Sequence, residues 1–493
     1  MYPDSFCQSA YAASLREFLS HRHVSKKLKK FIRAIMSIDL APVDQLLAET
    51  YSKFGPRPYA PSSMLIACLL AAFLKVPSIT DWVERLRSDV LYARICGWRD
   101  CRNVPAVGTF YNFATRLWAL DSPNIRPHVR PKKDMPKAPH GKNKKADTPE
   151  EGKVAGEIAK WRNSSLPVGQ PYIRLLHIFQ LFLQHSVDEG LIDAQNLFLA
   201  GDGTPVKTSA RGREHRVCDC RERGITHCEC DRYYSQPDSF WGWDSSRNCY
   251  YNGYNLYLLT AAESHSDLPV FPLLLPASRH DSLAFVETFA LFRRLFPQMH
   301  TKKLALDSAH DAMPLYHFFL DEGIQAFVDL NKRSTLTDWH NIKLDENGRP
   351  RCPAGLPMHS DGCEKSRLRM KFRCPKLQHC KGQGGKKVIC NCDQKCTDSD
   401  YGPVVHLPMR ENPRMFCQPT RGSKGWVKEY KRRTSAERDN KRIKIDYKLE
   451  DGHHRSSKLW YCRLYVILML EHLVAWQHTA SLQAPLADEA ISA

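Results

Sequence analysis

The chain has 493 residues, 25% charged and 42% hydrophobic, a globular balance with length for roughly two to four domains and a sizeable core. Its net charge of +19 argues for a phosphate-bearing partner such as nucleic acid over an anionic membrane. The first residues lack the apolar core of a secretory signal, and the most apolar runs, 64–74 and 464–470, are too short to span a bilayer. The expectation is a cytoplasmic, nucleoid-associated protein with no membrane partner.

Residues 1–122 read as helices. The stretch 25–38 sets Lys26, Lys27, Lys29, Lys30 and Arg33 on an amphipathic pattern, and an apolar helix follows the turn-rich GPRPYAP at 55–61. Ile79, Trp82, Val83, Leu86 and Val90 then recur at helical spacing. A third helix over 108–120 carries Thr109, Tyr111, Asn112, Thr115 and Arg116 beside Phe110, Phe113 and Leu117. Short helices with tight connections fit a DNA-end-binding domain of helix-turn-helix type, and equally a bundle that only packs. Residues 123–168 are rich in Pro, Lys and Arg with few apolar anchors, which predicts a basic linker able to lie along phosphates.

From 169 to 332 the pattern alternates strand and helix. Strands are expected at 196–200, 255–262, 270–275, 303–306 and 324–330, with helices at 172–189, 282–296 and 314–322. A Gly/Cys/Lys-rich insertion occupies 333–400. Residues 401–480 complete the core with a closing helix over 459–478, and 481–493 form a tail. The fold class expected is mixed α/β.

Asp202 follows the apolar NLFLAG and Asp307 follows KKLAL, so both carboxylates are expected where a buried strand ends, the edge at which open α/β sheets bind ligands. In YKRRTSAERDNKRIK, Tyr430, Arg433, Glu437 and Lys444 recur at steps of three, four and seven, and at about 100° per residue these share one helical stripe. Two strand carboxylates and one helix carboxylate suit a pair of hard divalent cations about 4 Å apart, able to activate a hydroxyl for in-line attack on phosphorus. Each residue has a plainer alternative: a turn for Asp202, a helix N-cap for Asp307, and a capping box with Thr434 for Glu437.

These residues carry a resemblance. Tyr430-x2-Arg433-x3-Glu437-x6-Lys444 resembles the Y-R-E-K signature of DDE transposases encoded by bacterial insertion sequences, the insertion-sequence-4-like superfamily. LAGDGTPVKT around Asp202 and LALDSAHD around Asp307 are similar to the family's two other catalytic motifs, with His310 where an aromatic is more usual. GPRPYAPSSMLIACLL and VPAVGTFYNFATRLW resemble the helical N-terminal domain common in these enzymes. The resemblance implies a ribonuclease-H-like catalytic core in which Asp202, Asp307 and Glu437 hold Mg2+ or Mn2+. It also implies that Tyr430, Arg433 and Lys444 hold the transposon end. The expected activity is cleavage at transposon ends and strand transfer into target DNA, by a homodimer that brings two ends together. The alternatives are an inactive, zinc-stabilised DNA-binding descendant and a nuclease that cuts without joining.

Eleven of the eighteen cysteines fall in two clusters, a pattern that favours metal ligation in a long chain without a leader. Cys218-x-Cys220 and Cys228-x-Cys230, in a Cys-rich loop at 208–250, have His215 and His227 nearby. Cys352, Cys363, Cys374, Cys380, Cys390, Cys392 and Cys396 spread through the insertion, where CPAGLPM and FRCPKLQHC resemble zinc-ribbon turns. Cys218, Cys220, Cys228, Cys230, Cys352, Cys363, Cys374 and Cys380 are the candidate ligands for structural zinc, and reduced thiols in loops are the alternative. Tyr233, Tyr234, Phe240, Trp241 and Trp243 form an aromatic run that reads as base-stacking surface or as hairpin core. Lys424, Lys428, Lys431, Arg432, Arg438, Lys441 and Arg442 surround Glu437. Beside a metal triad they predict a face that tracks double-stranded DNA, with Arg438 and Lys441 nearest the site.

Overall fold

The axis of the fold is β1 (Leu197–Lys207), an 11-residue strand in a computed structural model. The structure describes residues 7–477, apart from 21, 53, 120–128, 131–151, 164–169 and the loop positions 213–214, 217, 231, 235, 237, 332–335, 383–384, 391, 394–395 and 400. Sequence pattern ends the strand at Gly201-Asp202-Gly203. The structure carries it on, because Gly203–Lys207 pair residue by residue with the Tyr257–Gly253 segment of a longer neighbour. Asp202 therefore lies in mid-strand.

Around β1 the sheet adds β2 (Phe240–Asp244), β3 (Cys249–Ala261), β4 (Leu268–Pro276), β5 (Thr301–Leu306) and β6 (Gln325–Val328). The order is β4-β3-β1-β5-β6, with β2 paired to the start of β3. The β1–β3 and β3–β4 pairs are antiparallel, whereas β5 and β6 run parallel to β1. Parallel neighbours need long crossovers. These are supplied by α10 (Asp281–Leu295) after β4 and α11 (Met313–Asp321) after β5.

Helices cover both faces of the sheet. One receives α10, where Phe285, Phe289 and Phe292 meet Phe271, Phe296 and Phe319. The other receives α12 (Lys424–Tyr430) and α13 (Thr434–Lys441), through Trp426 and Ala436 against Phe198, Ala200, Ala305 and Phe327. The closing helix α14 (Ser457–Trp476) has the length and apolarity of a membrane span, but it is mostly buried inside the protein. Its buried His472 is partnered at both ring nitrogens. The His472 Nε2–H donates to Pro269 O at 2.8 Å and Nδ1 accepts from Ser186 Oγ at 2.7 Å, and burial pushes His472 down to about 4.

Of the N-terminal helices α1 (Gln8–Leu19), α2 (Lys26–Ser37), α3 (Ala41–Leu47), α4 (Pro61–Phe73), α5 (Ile79–Ser88), α6 (Val90–Ile95) and α7 (Val107–Leu117), α2, α4 and α7 pack on α14 and the others pack mainly on their neighbours. Their apolar side chains join those of α9 (Ile173–Asp188) and the sheet in one continuous core. Much of the basic stretch 123–168 lies outside the described residues. Within it, however, α8 (Lys153–Asn163) is an ordered helix that buries Ile158 and Trp161 against α10 and α11, so this part is not a linker.

The insertion has its own small core. Its sheet pairs β7 (His359–Glu364) with β8 (Arg369–Arg373) and takes a third strand, β9 (Val404–Pro408), from beyond residue 400. Leu344, Met358, Met370, Phe372, Leu407, Met415 and Phe416 fill it. A bidentate ion pair clamps it to the main sheet, with Arg414 Nε and Nη2 each 2.7 Å from the two oxygens of buried Asp311. Paired in this way, Asp311 stays below the usual carboxylate range despite burial.

Candidate active site

Register brings the first two acids together. Ala200 of β1 pairs with Ala305 of β5, so Asp202 and Asp307 stand at equivalent positions two residues further along adjacent parallel strands. Neighbouring strands are about 4.8 Å apart. The side chain of Asp202 faces α13, where Asn440 Nδ2 donates to its Oδ2 at 3.1 Å. Asp307 caps the short turn after β5, accepting from Ala309 N at 3.0 Å and from His310 Nδ1 at 2.6 Å.

The glycines flanking Asp202 face the opposite side and make room there. A Cβ on Gly201 would stand 2.7 Å from the Tyr257 hydroxyl, and one on Gly203 would stand 2.2 Å from Asp281 Oδ1. Tyr257 and Asp281 are both tied into the site. The Tyr257 hydroxyl donates to His310 Nε2 at 2.7 Å, completing a buried line Tyr257–His310–Asp307, and Asn255 Nδ2 donates to Asp281 Oδ1 at 2.8 Å.

Electrostatics divide the two aspartates. Desolvation, then the like charges of Asp307 and Asp281, push Asp202 up to about 7 against the pull of the Asn440 amide. Burial also acts on Asp307, but the hydrogen bonds from His310 and the Ala309 amide help outweigh it and hold that carboxyl below its ordinary value. One carboxyl is thus held ready as an anion, while the other keeps its proton up to about neutrality unless a cation draws it off at lower pH.

The segment that carries Glu437 is not one helix. α12 ends at Tyr430, a 3-10 turn covers Lys431–Arg433, α13 ends at Lys441, and Arg442–Asp446 form a π-helical turn. Tyr430, Arg433 and Glu437 still share one face of the expected stripe, each touching the next, and Lys444, in the π-helical turn, leaves it. Tyr430 stacks on Trp426 with centroids 4.9 Å apart, and Arg433 lies over the Tyr430 ring at 5.8 Å. Arg433 Nη1 donates to Glu437 Oε1 at 2.6 Å, and its charge is felt by both Asp202 and Asp307. Glu437 does not close a capping box: Thr434 donates to Lys431 O, and the N-cap of this segment is Ser423. Asn440, one turn beyond Glu437 on the same face, already touches Asp202.

The remaining basic residues separate. Lys444 folds inward, with Nζ 2.5 Å from Pro205 O and 3.8 Å from Glu450, and burial lowers its pKa. Arg438 forks onto both oxygens of Asp267 at 2.6 and 2.8 Å, while Lys424, Lys428, Lys431, Arg432 and Lys441 are exposed. Behind them a buried network anchors α13: Thr260 donates to Asp439, and Arg442 Nε donates to Glu471 on α14 at 2.8 Å. Burial beside Asp439 pushes Glu471 well up, and the two carboxyls share a hydrogen bond there.

The cysteine expectations split in two. Sγ atoms of Cys218, Cys220, Cys228 and Cys230 all lie within 4.8 Å of one another, a spacing that could hold a zinc ion. Among the described residues this is the only set of three or more His, Cys, Asp or Glu at such spacing, so Asp202, Asp307 and Glu437 do not meet that tightly. Cys352 and Cys363 instead pack in the apolar core of the insertion, the latter with Sγ 3.6 Å from Met409 Sδ, and Cys374 is buried at the end of β8. They build no second described metal cluster, and the side chain of Cys380 lies outside the described residues. The aromatic run forms a hairpin but not a core: Trp241, Trp243 and Tyr250 are 47%, 51% and 73% exposed.

Asn440, Asp281 and Tyr257 went unnoticed in the sequence. Asp281 at a helix start reads as an ordinary dipole complement, and Asn440 as one more polar residue in a charged run.

Residues 13–116, most of α1–α7, match the family model described as a transposase domain (DUF772). The match supports a transposase role in general terms, and with it DNA as the partner. No curated protein matches the chain.

Proposed function

We propose that the chain is a DDE transposase that cleaves DNA at the ends of its own element and joins the freed 3′-hydroxyl to target DNA. The observation that carries this reading is Asp202 on β1 with Asp307 just past the end of β5, the adjacent parallel strand of a β4-β3-β1-β5-β6 sheet. That order and those directions suit a ribonuclease-H-like core. The transposase-domain match lies in a different part of the chain and supports the reading independently.

The donor set fits hard divalent cations. It offers only oxygen, crowds like charges around Asp202, and leaves Asn440 Oδ1 buried without a hydrogen-bond partner beside that carboxyl. Asp202, Asp307 and Glu437 would hold Mg2+ or Mn2+, which when bound supplies charge stabilisation and an activated oxygen nucleophile at phosphorus. His310 fixes the rotamer of Asp307, and Asn440 that of Asp202. Arg433 restrains Glu437. A DNA phosphate that takes up the Arg433 guanidinium frees the carboxylate, one turn from Asn440, to join the two aspartates. Substrate entry and site assembly are thereby coupled. Exposed Lys424, Lys428, Lys431, Arg432 and Lys441 track the duplex, and Lys444 braces β1 from within. A synaptic homodimer working on cytoplasmic DNA follows from the need to hold two ends.

The test uses DNA carrying the sequences that flank the gene, with Mg2+. Wild type should nick and join it, and Asp202→Ala, Asp307→Ala and Glu437→Ala should each reduce both steps at least about 1,000-fold. Variants that work at wild-type rate would overturn the reading. Because Glu437 is paired with Arg433 and the three acids do not all lie within 4.8 Å of one another, a protein that only binds DNA is the competing reading. It predicts retained binding with no Mg2+-dependent product from wild type.

A further inference from the structure

The Cys-rich loop between β1 and β2 has little to hold it by ordinary packing. Over 208–238 its described regular structure is limited to the two-residue strands His215–Arg216 and Arg232–Tyr233. Its most buried side chains include the thiols of Cys220 and Cys228, at 3% and 6% exposure, while the apolar tip residue Ile225 is 43% exposed. Segments with so small a core need a covalent or metal staple to persist. The thiols are arranged for one. Cys218 Sγ is 3.6 Å from Cys228 Sγ, and Cys220 Sγ is 3.6 Å from Cys230 Sγ. Tetrahedral zinc with Zn–S of 2.3 Å sets its sulfurs about 3.8 Å apart, whereas a disulfide would bring them to about 2.05 Å.

We propose that Cys218, Cys220, Cys228 and Cys230 bind one structural Zn2+, and that this ion fixes the loop against the aromatic hairpin of β2 and β3. Four thiolates around one zinc carry two negative charges. Arg223 answers them, with Nη2 3.5 Å from Cys220 Sγ, and it is braced by Asp219 at 3.0 Å. All four ligand positions are filled by sulfur, so the ion is structural and takes no part in phosphoryl transfer. The loop docks through Gly212, whose carbonyl accepts from Trp241 Nε1 at 3.2 Å. A Cβ there would stand 2.7 Å from the indole, so only glycine allows the approach. Beyond Trp241 the hairpin exposes Trp243 and Tyr250, packed edge to face at 4.9 Å. The zinc therefore sets the position of an exposed aromatic ribbon by holding the loop that flanks it.

The experiment measures zinc in the full chain purified under reducing conditions, wild type beside a Cys220→Ser/Cys228→Ser variant, by elemental analysis. The variant should carry one zinc fewer per chain, keep the helical circular dichroism of the rest, and show altered tryptophan emission together with at least about 10-fold faster proteolysis within 211–231. Equal zinc in both proteins, or mass spectrometry showing Cys218–Cys228 and Cys220–Cys230 disulfides in the reduced preparation, would overturn the proposal. So would zinc loss with no change in emission or proteolysis, as regards the clamp on the hairpin. None of these readouts depends on DNA cleavage, so their failure is separable from failure of the transposase reading.

Discussion

Two candidate metal sites in this protein are built in opposite ways. Asp202 and Asp307 are delivered by paired strands in the buried sheet, and hydrogen bonds from Asn440 and His310 orient them. The four thiols sit on a loop with almost no regular structure, where their mutual spacing is the main order present. Where backbone pairing supplies the geometry, the ion is a reagent the fold can do without. Where the ligands supply it, the ion belongs to the fold. The first arrangement strains against like charge, as the raised Asp202 carboxyl shows, and the second relieves a shortage of core.

The sharpest way to break that contrast is catalytic. Asp307→Ala should lower strand cleavage at least about 1,000-fold while leaving the unfolding transition within a few degrees of wild type, measured by product gels and calorimetry on one preparation. A large loss of stability would mean that the pair is structural after all. Next in size, a zinc-selective chelator should open the 211–231 loop to protease about 10-fold without moving the main unfolding transition, whereas removal of Mg2+ should change neither. A smaller effect is expected at His310. His310→Gln keeps a donor but breaks the line to Tyr257, so it should cost about 1–3 kcal/mol in stability and raise the Mg2+ concentration needed for half-maximal cleavage.

The pH dependence is subtler still. A carboxyl whose folded pKa is raised keeps its proton in the folded state while the unfolded chain has lost it. Metal-free stability should therefore fall as pH rises from the ordinary 3.8 towards about 7. Asp202→Asn should flatten that part of the profile, and Mg2+ should oppose the fall in wild type. Thermal unfolding from pH 4 to 8 checks both. Last, DNA affinity should drop steeply with salt, because exposed lysines and arginines flank the site. A log–log slope near zero would remove the basic face from the account.

Much of the scaffold was legible in the chain because apolar period alone marks it. Thr301–Leu306, Asp281–Leu295 and Ser457–Trp476 fall within a few residues of where the pattern puts them. What the pattern hides is structure imposed from across the sheet. The pattern ends the strand at Gly201-Asp202-Gly203, yet it continues to Lys207 because β3 pairs with it, and Lys444 turns inward from a π-helical turn. The order Asp202, Asp307, Glu437 was visible, but the reason for the glycines beside Asp202 was not. It lies in Tyr257 and Asp281, more than fifty residues away. Among the cysteines, two close C-x-C pairs came together, whereas Cys352 and Cys363 were recruited as small apolar residues by the insertion's own core.

Binding of Mn2+ followed by electron paramagnetic resonance tests the central claim most directly, in wild type and in Asp202→Asn and Asp307→Asn proteins. A divalent ion held between these two side chains should give a bound-Mn2+ signal in wild type that disappears in either variant while the zinc content stays the same. Wild-type protein that binds no Mn2+ at millimolar concentration, or variants that bind it equally well, would contradict the account.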